Sequence, residues 1–242
     1  MDLFNSWLVN TPIAFRGLFD KNHPENSLSA FEEAIKLGYP IAIEVRMISD
    51  ETIVVFGDEC LSRMTGNDGY LKFLKKSDLD ILRLSNTKEK IPTFEEVLNF
   101  VDGRVPLLID IVNDSKVGVL EKTVIETLKD YKGRFAVQSV NPYVLEYFYT
   151  YAPDIARGQK SGYFKGEKIS FLKKSALKRM KFNQTISHPD FITYEAKHLP
   201  NRFVKKYKSL PLIAYTVESQ SDYLKVVKYC DNVIFENFEP MI

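Results

Sequence analysis

Eight short apolar runs punctuate this chain, and helix-patterned stretches separate them. The runs cover residues 12–15, 41–47, 105–112, 134–140, 154–157, 190–194, 211–217 and 232–235. A run of this length, bounded by polar turns, is a buried strand when long amphipathic stretches lie on either side. Residues 26–37 are such a stretch: Leu28, Phe31, Ala34 and Ile35 fall on one helical face, while Ser29, Glu32, Glu33 and Lys36 fall elsewhere. Ser29 followed by Glu32 fits a capping box, Asn26 or Ser27 fits a cap equally well, and Gly38 is a natural stop. Helices are also expected over 94–101, 117–131 and 221–229.

Strands alternating with helices predict a parallel sheet covered by helices. Eight such units without an internal linker favour a closed α/β barrel, a (β/α)8 TIM barrel, as one domain over 1–242; the 242 residues are close to the ~250 of that fold. An open doubly wound sheet is the alternative, but neither GxGxxG nor GxxxxGK[ST] follows the first strand. A ninth run, 52–56, follows the second after Ser49-Asp50-Glu51. A parallel crossover needs a dozen or more residues, so this run predicts a hairpin, opening an insertion over about 57–92.

A hydrophobic share of 45% with 27% charged residues supports a real core. The net charge of +1 gives no field that would gather nucleic acid. Cys60 and Cys230 stand far apart and suit reduced thiols, and no Cys/His spacing suggests a metal. No apolar stretch is long enough to span a bilayer, and residues 1–5 lack a signal-peptide pattern, so a cytoplasmic protein is expected. The charge is uneven: 160–181 carries eight Lys or Arg against the single acid Glu167. That stretch suits either peripheral contact with an anionic membrane or a solvated helix face, and the solvated face is the expectation.

Barrels do their chemistry at the carboxyl ends of the strands. The first strand ends Phe15-Arg16-Gly17; the second carries Glu44 and Arg46, which point to one side. The hairpin ends Gly57-Asp58, the next strand carries Asp110 and Val112, the fourth Ser139, the seventh Tyr215, and the eighth is followed by Glu236. Charges inside apolar strands are costly unless paired, so Glu44, Arg46 and Asp110 imply an ion cluster, a polar ligand pocket, or both.

The ordered motifs Phe15-Arg16-Gly17, Pro24-Glu25-Asn26-Ser27, Glu44-Val45-Arg46, Val55-Phe56-Gly57-Asp58, Leu61-Ser62-Arg63-Met64-Thr65-Gly66, Ile91-Pro92-Thr93-Phe94-Glu95-Glu96 and Tyr215-Thr216-Val217 resemble the glycerophosphodiester phosphodiesterase family from about residue 12 to Pro240. The resemblance implies a barrel with an insertion after the second strand, here Glu59 to Lys90. It also implies phosphoric diester hydrolysis in lipid metabolism, with a divalent cation held by carboxylates and two histidines moving protons. This chain departs from that set. The family's His-Arg-Gly is Phe15-Arg16-Gly17, its Glu-x-Asp ends in Arg46, its His-Asp is Gly57-Asp58, its Glu-x-Lys is Asp110-x-Val112, and its seventh-strand Trp is Tyr215.

Neither Phe15 nor Gly57 carries a proton, and each lost acid or base removes about 10²–10⁴-fold of rate. Glu44, Arg46 and Asp110 already sum to −1, so the Arg46 guanidinium is expected in the cation's place. A divalent ion ~4 Å from Arg46 would meet about 8 kcal/mol of repulsion at an effective dielectric of ~20. Arg16 matches the phosphate-contacting arginine of the family, or else pairs with Glu25 or Glu44. His23 sits in the first strand–helix loop, His188 precedes the sixth strand, and His198 follows it.

The sequence thus predicts no catalytic residue. A ligand site of Arg16, Glu44, Arg46, Asp58, Asp110 and Tyr215 is expected to take a small anion or phosphodiester. Glu44 and Asp110 are the metal candidates only if Mg²⁺ or Ca²⁺ is used. The alternatives are a hydrolase with altered chemistry and a non-enzymatic scaffold.

Overall fold

The computed structural model describes residues 3–113, 115–166 and 170–241. Glu167 and Lys168 of the basic stretch, and the first two residues of the N-terminal pattern, lie outside them.

Nine strands form among the described residues: β1 Ile13–Phe15, β2 Ile41–Met47, β3 Ile53–Val55, β4 Leu107–Ile111, β5 Phe135–Ser139, β6 Arg157–Ser161, β7 Phe191–Glu195, β8 Leu212–Val217 and β9 Asn232–Phe235. They bond in the order β1-β9-β8-β7-β6-β5-β4-β2-β3, and β1 also pairs with β2. Eight parallel strands therefore close into a TIM-barrel ring. The ninth, β3, lies outside it, antiparallel to β2 through Val45↔Val55, Arg46↔Val54 and Met47↔Ile53. Helices α1 Trp7–Asn10, α2 Leu28–Lys36, α3 Ser62–Thr65, α4 Phe94–Val101, α5 Val119–Leu128, α6 Pro142–Tyr151, α7 Phe171–Lys178 and α8 Gln220–Val226 alternate with the strands.

The chain packs as two compact units, Ala14–Phe135 and Met1–Ile13 with Ala136–Ile242. In the first, Ser27 caps α2 by accepting from the Ala30 N–H at 3.2 Å, so neither Asn26 nor the Ser29/Glu32 pair does so. Thr93 and Glu96 form a reciprocal capping box on α4, which buries Phe94, Val97, Leu98 and Val101. The insertion has its own core, in which Leu61, Met64, Leu71, Leu79, Leu82 and Leu84 pack with Ile48, Val54, Phe56 and Ile91. Ser62 to Thr65 is helical there and ends at left-handed Gly66.

In the second unit the expected strand over 154–157 is displaced: β6 begins at Arg157 and continues through Ser161. Ile155 and Ala156 gave the apolar signal, yet the strand proper is polar, Arg-Gly-Gln-Lys-Ser. Its side chains are accommodated because Gln159 donates to the Ser139, Val140 and Lys160 carbonyls. The guanidinium of Arg157 likewise donates to the Pro153, Ile155 and His188 carbonyls. Gln159 and Lys160 thus belong to the sheet and not to the stretch that follows it. Both cysteines are free thiols.

Candidate functional site

Arg16 leaves the end of β1 with a left-handed backbone, φ 61°, a conformation uncommon for a residue with a side chain. Its N–H is held by the Ala42 carbonyl at 2.7 Å, and its own carbonyl accepts from the Asn26 N–H at 3.0 Å. Gly17 must follow, because a Cβ there would collide with the Ala30 backbone at 2.7 Å. This turn aims the guanidinium at two carboxylates: Nε donates to Glu44 Oε2 at 2.5 Å and Nη1 to Glu25 Oε1 at 2.7 Å. The Phe15 ring lies against it, 4.5 Å from ring centroid to Cζ, a cation–π contact. Burial works against the charged form of Arg16. The Glu44 charge and hydrogen bond, with Glu25 behind them, outweigh burial and hold its pKa above the ordinary value.

Gly57 completes the seat. A Cβ at 57 would run into Glu44 Oε2 and would lie 2.7 Å from Arg16 Nη2. The guanidinium therefore fills space that any side chain at 57 would need. Phe15 and Gly57, the two positions where the family resemblance expects histidines, both border Arg16.

A second arginine extends the network from the insertion. Arg63 on α3 donates to Asp58 through Nε at 2.6 Å and Nη2 at 2.9 Å. It also donates to Glu25 through Nη1 at 2.8 Å and Nη2 at 2.6 Å. The Glu25 and Asp58 hydrogen bonds, offset in part by burial, raise its pKa further above the ordinary arginine value. Glu25 is shared by the two guanidinium groups, giving the chain Glu44–Arg16–Glu25–Arg63–Asp58. Sequence reasoning missed the role of Arg63; its place between Leu61 and Met64, both buried, was the available signal, since it fixes Arg63 outward on a one-turn helix.

Glu44 and Asp110 are direct neighbours on the parallel strands β2 and β4 and are both buried. Glu44 Oε2 also accepts from Asn26 Nδ2 at 3.4 Å, whereas Asn26 Oδ1 is buried without a partner. Arg46 Nε donates to the Gly57 carbonyl at 3.1 Å. The structure thus brings Arg16, Glu44, Arg46, Asp58 and Asp110 together in the unit Ala14–Phe135. Arg16 donates to Glu44, and Arg46 donates to the backbone of Gly57. Among the described residues, no three His, Cys, Asp or Glu side chains gather as a metal site.

Tyr215 lies in the other unit. Its hydroxyl donates to the Ser161 carbonyl at 3.1 Å, and the Lys160 ammonium sits 4.9 Å from its ring centroid. There too, Glu195 at the end of β7 accepts from the Tyr163 and Phe164 N–H groups and pairs with His198 Nδ1 at 2.6 Å. The His198 ring stacks on Tyr163 at 3.8 Å. His188 stacks on Tyr149, and His23 pairs with Asp20 at 3.0 Å in its surface loop, as a loop histidine should.

The family model described as "Glycerophosphoryl diester phosphodiesterase family" matches residues 16–237. A glycerophosphodiester phosphodiesterase of Caldanaerobacter subterraneus subsp. tengcongensis is 32% identical over 158 residues, 60% of this chain and 64% of that protein. The match therefore spans less than two thirds of that relative's length. A Bacillus subtilis glycerophosphodiester phosphodiesterase is 22% identical over 238 residues, covering 89% of this chain and 79% of its own. Among solved structures, a phosphodiesterase of Oleispira antarctica in complex with the product sn-glycerol-3-phosphate superposes with a TM-score of 0.79 at 21% identity, covering 94% and 93% of the two chains. That degree of likeness establishes a shared fold.

Proposed function

The chain belongs to the glycerophosphoryl diester phosphodiesterase family, and on that premise we propose that it binds a phosphodiester or other small anion without the family's metal-dependent hydrolysis. One observation carries this reading: the Arg16 guanidinium, backed by Phe15, occupies the space beside Gly57 and pairs with Glu44. A carboxylate engaged by a guanidinium offers little to a divalent ion, and the guanidinium of Arg46 two residues along β2 repels one. The residues as folded do not fit the family's cation.

What remains suits recognition. Arg16, Arg46 and Arg63 offer forked donors for phosphoryl oxygens, and the nearby carboxylates accept from hydroxyl groups. A polyol phosphate carries both kinds of group. The ligand displaces Arg16 or Arg63 from a carboxylate rather than meeting a bare cation, so millimolar to micromolar affinity is the expected range.

The names of the relatives favour a second reading, an active phosphodiesterase with altered chemistry. Thermal shift with sn-glycerol 3-phosphate, with and without EDTA, separates the two, together with a turnover assay on glycerophosphodiesters in Mg²⁺ or Ca²⁺. The expected result is a dose-dependent rise in Tm that EDTA leaves unchanged and Arg16→Ala abolishes, with no turnover. Metal-dependent turnover that Asp58→Ala abolishes sinks the binding-only reading.

A further inference from the structure

Helix α7 is anchored on one side only. Leu177 is its single fully buried residue, the Tyr194 hydroxyl donates to the Lys178 carbonyl at 2.9 Å, and the Lys178 ammonium lies 3.9 Å from the Tyr163 ring centroid. These contacts seat the helix on the cluster of Met180, Ile192, Tyr194 and Val204. Phe171 and Leu172 open the same helix. At about 100° per residue they lie on the side opposite Leu177. They are 83% and 79% exposed, behind the N-cap Ser170.

Two bulky apolar side chains side by side in water are unfavourable, and nothing among the described residues covers them. Their surroundings are basic. Lys165, Lys173, Arg179 and Lys181 are exposed, and residues 165–181 carry seven Lys or Arg against the one acid Glu167. Apolar side chains projecting from a cationic segment are the pattern that lets a protein sit on an anionic bilayer: the apolar groups enter the acyl boundary and the ammonium groups meet lipid phosphates. No helix among the described residues is long and apolar enough to cross a membrane, so the contact is peripheral.

We propose that the Phe171–Leu172 pair, with Lys165 and Lys173, docks this protein on an anionic lipid surface. The charge favours lipid over a second copy of the chain, because a copy would bring the same positive stretch against itself.

Vesicle flotation of the full chain tests this, using phosphatidylcholine alone and an equimolar mixture of phosphatidylcholine and phosphatidylglycerol. The wild type floats with the anionic vesicles and stays behind with the neutral ones. Phe171→Ser with Leu172→Ser weakens that binding about tenfold or more. Lys165→Glu with Lys173→Glu weakens it about fivefold per residue and flattens its dependence on salt. Both double variants keep the wild-type circular dichroism, since neither touches the buried side of α7. The proposal is overturned if the wild type does not float, if it floats equally with both lipids, or if the serine variant floats as well as the wild type. Self-association of the wild type that the serine variant loses, without vesicle binding, assigns the surface to a second copy and also overturns it.

Discussion

Arg16 combines three features in one residue: a left-handed backbone, an aromatic ring against its guanidinium, and two carboxylates in its grip. Its neighbour at 57 therefore tolerates no side chain at low cost. Gly57→Ala should destabilise the fold by about 1–3 kcal/mol through overpacking, measured by urea denaturation; a change near zero would mean that Arg16 swings aside freely. Phe15→His combined with Gly57→His should leave glycerophosphodiester turnover at background in Mg²⁺, because the Arg46 guanidinium still opposes the cation; measurable turnover would contradict that electrostatic argument. Cys60 is exposed, whereas burial pushes the Cys230 thiol up to about 12. Iodoacetamide near about pH 8 should modify Cys60 in the native protein and Cys230 only after unfolding, read by mass spectrometry. The Cys230 pKa is raised in the folded state, so the stability it contributes is whole below the ordinary value of 9.0 and is lost as pH climbs toward 12.

The elements show which signals in the sequence are physical and which are ambiguous. The expected stretches 41–47, 232–235 and 94–101 coincide with β2, β9 and α4, because a short, mainly apolar run bounded by polar turns and a Thr-x-x-Glu box are each decided within a few residues. β6 was displaced because its polar side chains are satisfied by carbonyls distant in sequence, and local pattern carries no trace of them. Likewise Glu44, Arg46 and Asp110 were legible as charges inside apolar strands, whereas the sharing of Glu25 by Arg16 and Arg63 spans residues 16 to 63 and appears only in three dimensions. The cap on α2 was left open among three residues, and the structure selects Ser27. Ser27→Ala should cost about 1 kcal/mol and lower Tm by about 2–4 °C, read by calorimetry. An unchanged Tm would return the cap to another residue.

At the scale of the molecule, the insertion between β3 and α4 is built into the unit that holds the charge network and cannot be treated as an ornament. Replacing 59–90 by a short linker would uncover Ile48, Val54, Phe56 and Ile91 and remove Arg63 from Glu25. The truncated protein should bind a hydrophobic dye and lose its sharp thermal transition; a cooperative, dye-silent truncation would show that the ring stands without it. The seat of Arg16 also couples positions 15 and 57. A histidine placed at 57 collides with the guanidinium, and one placed at 15 exchanges the phenyl ring beside it for a smaller imidazole. One guanidinium thus ties the two positions together, and the cost of an exchange at either depends on what stands at the other.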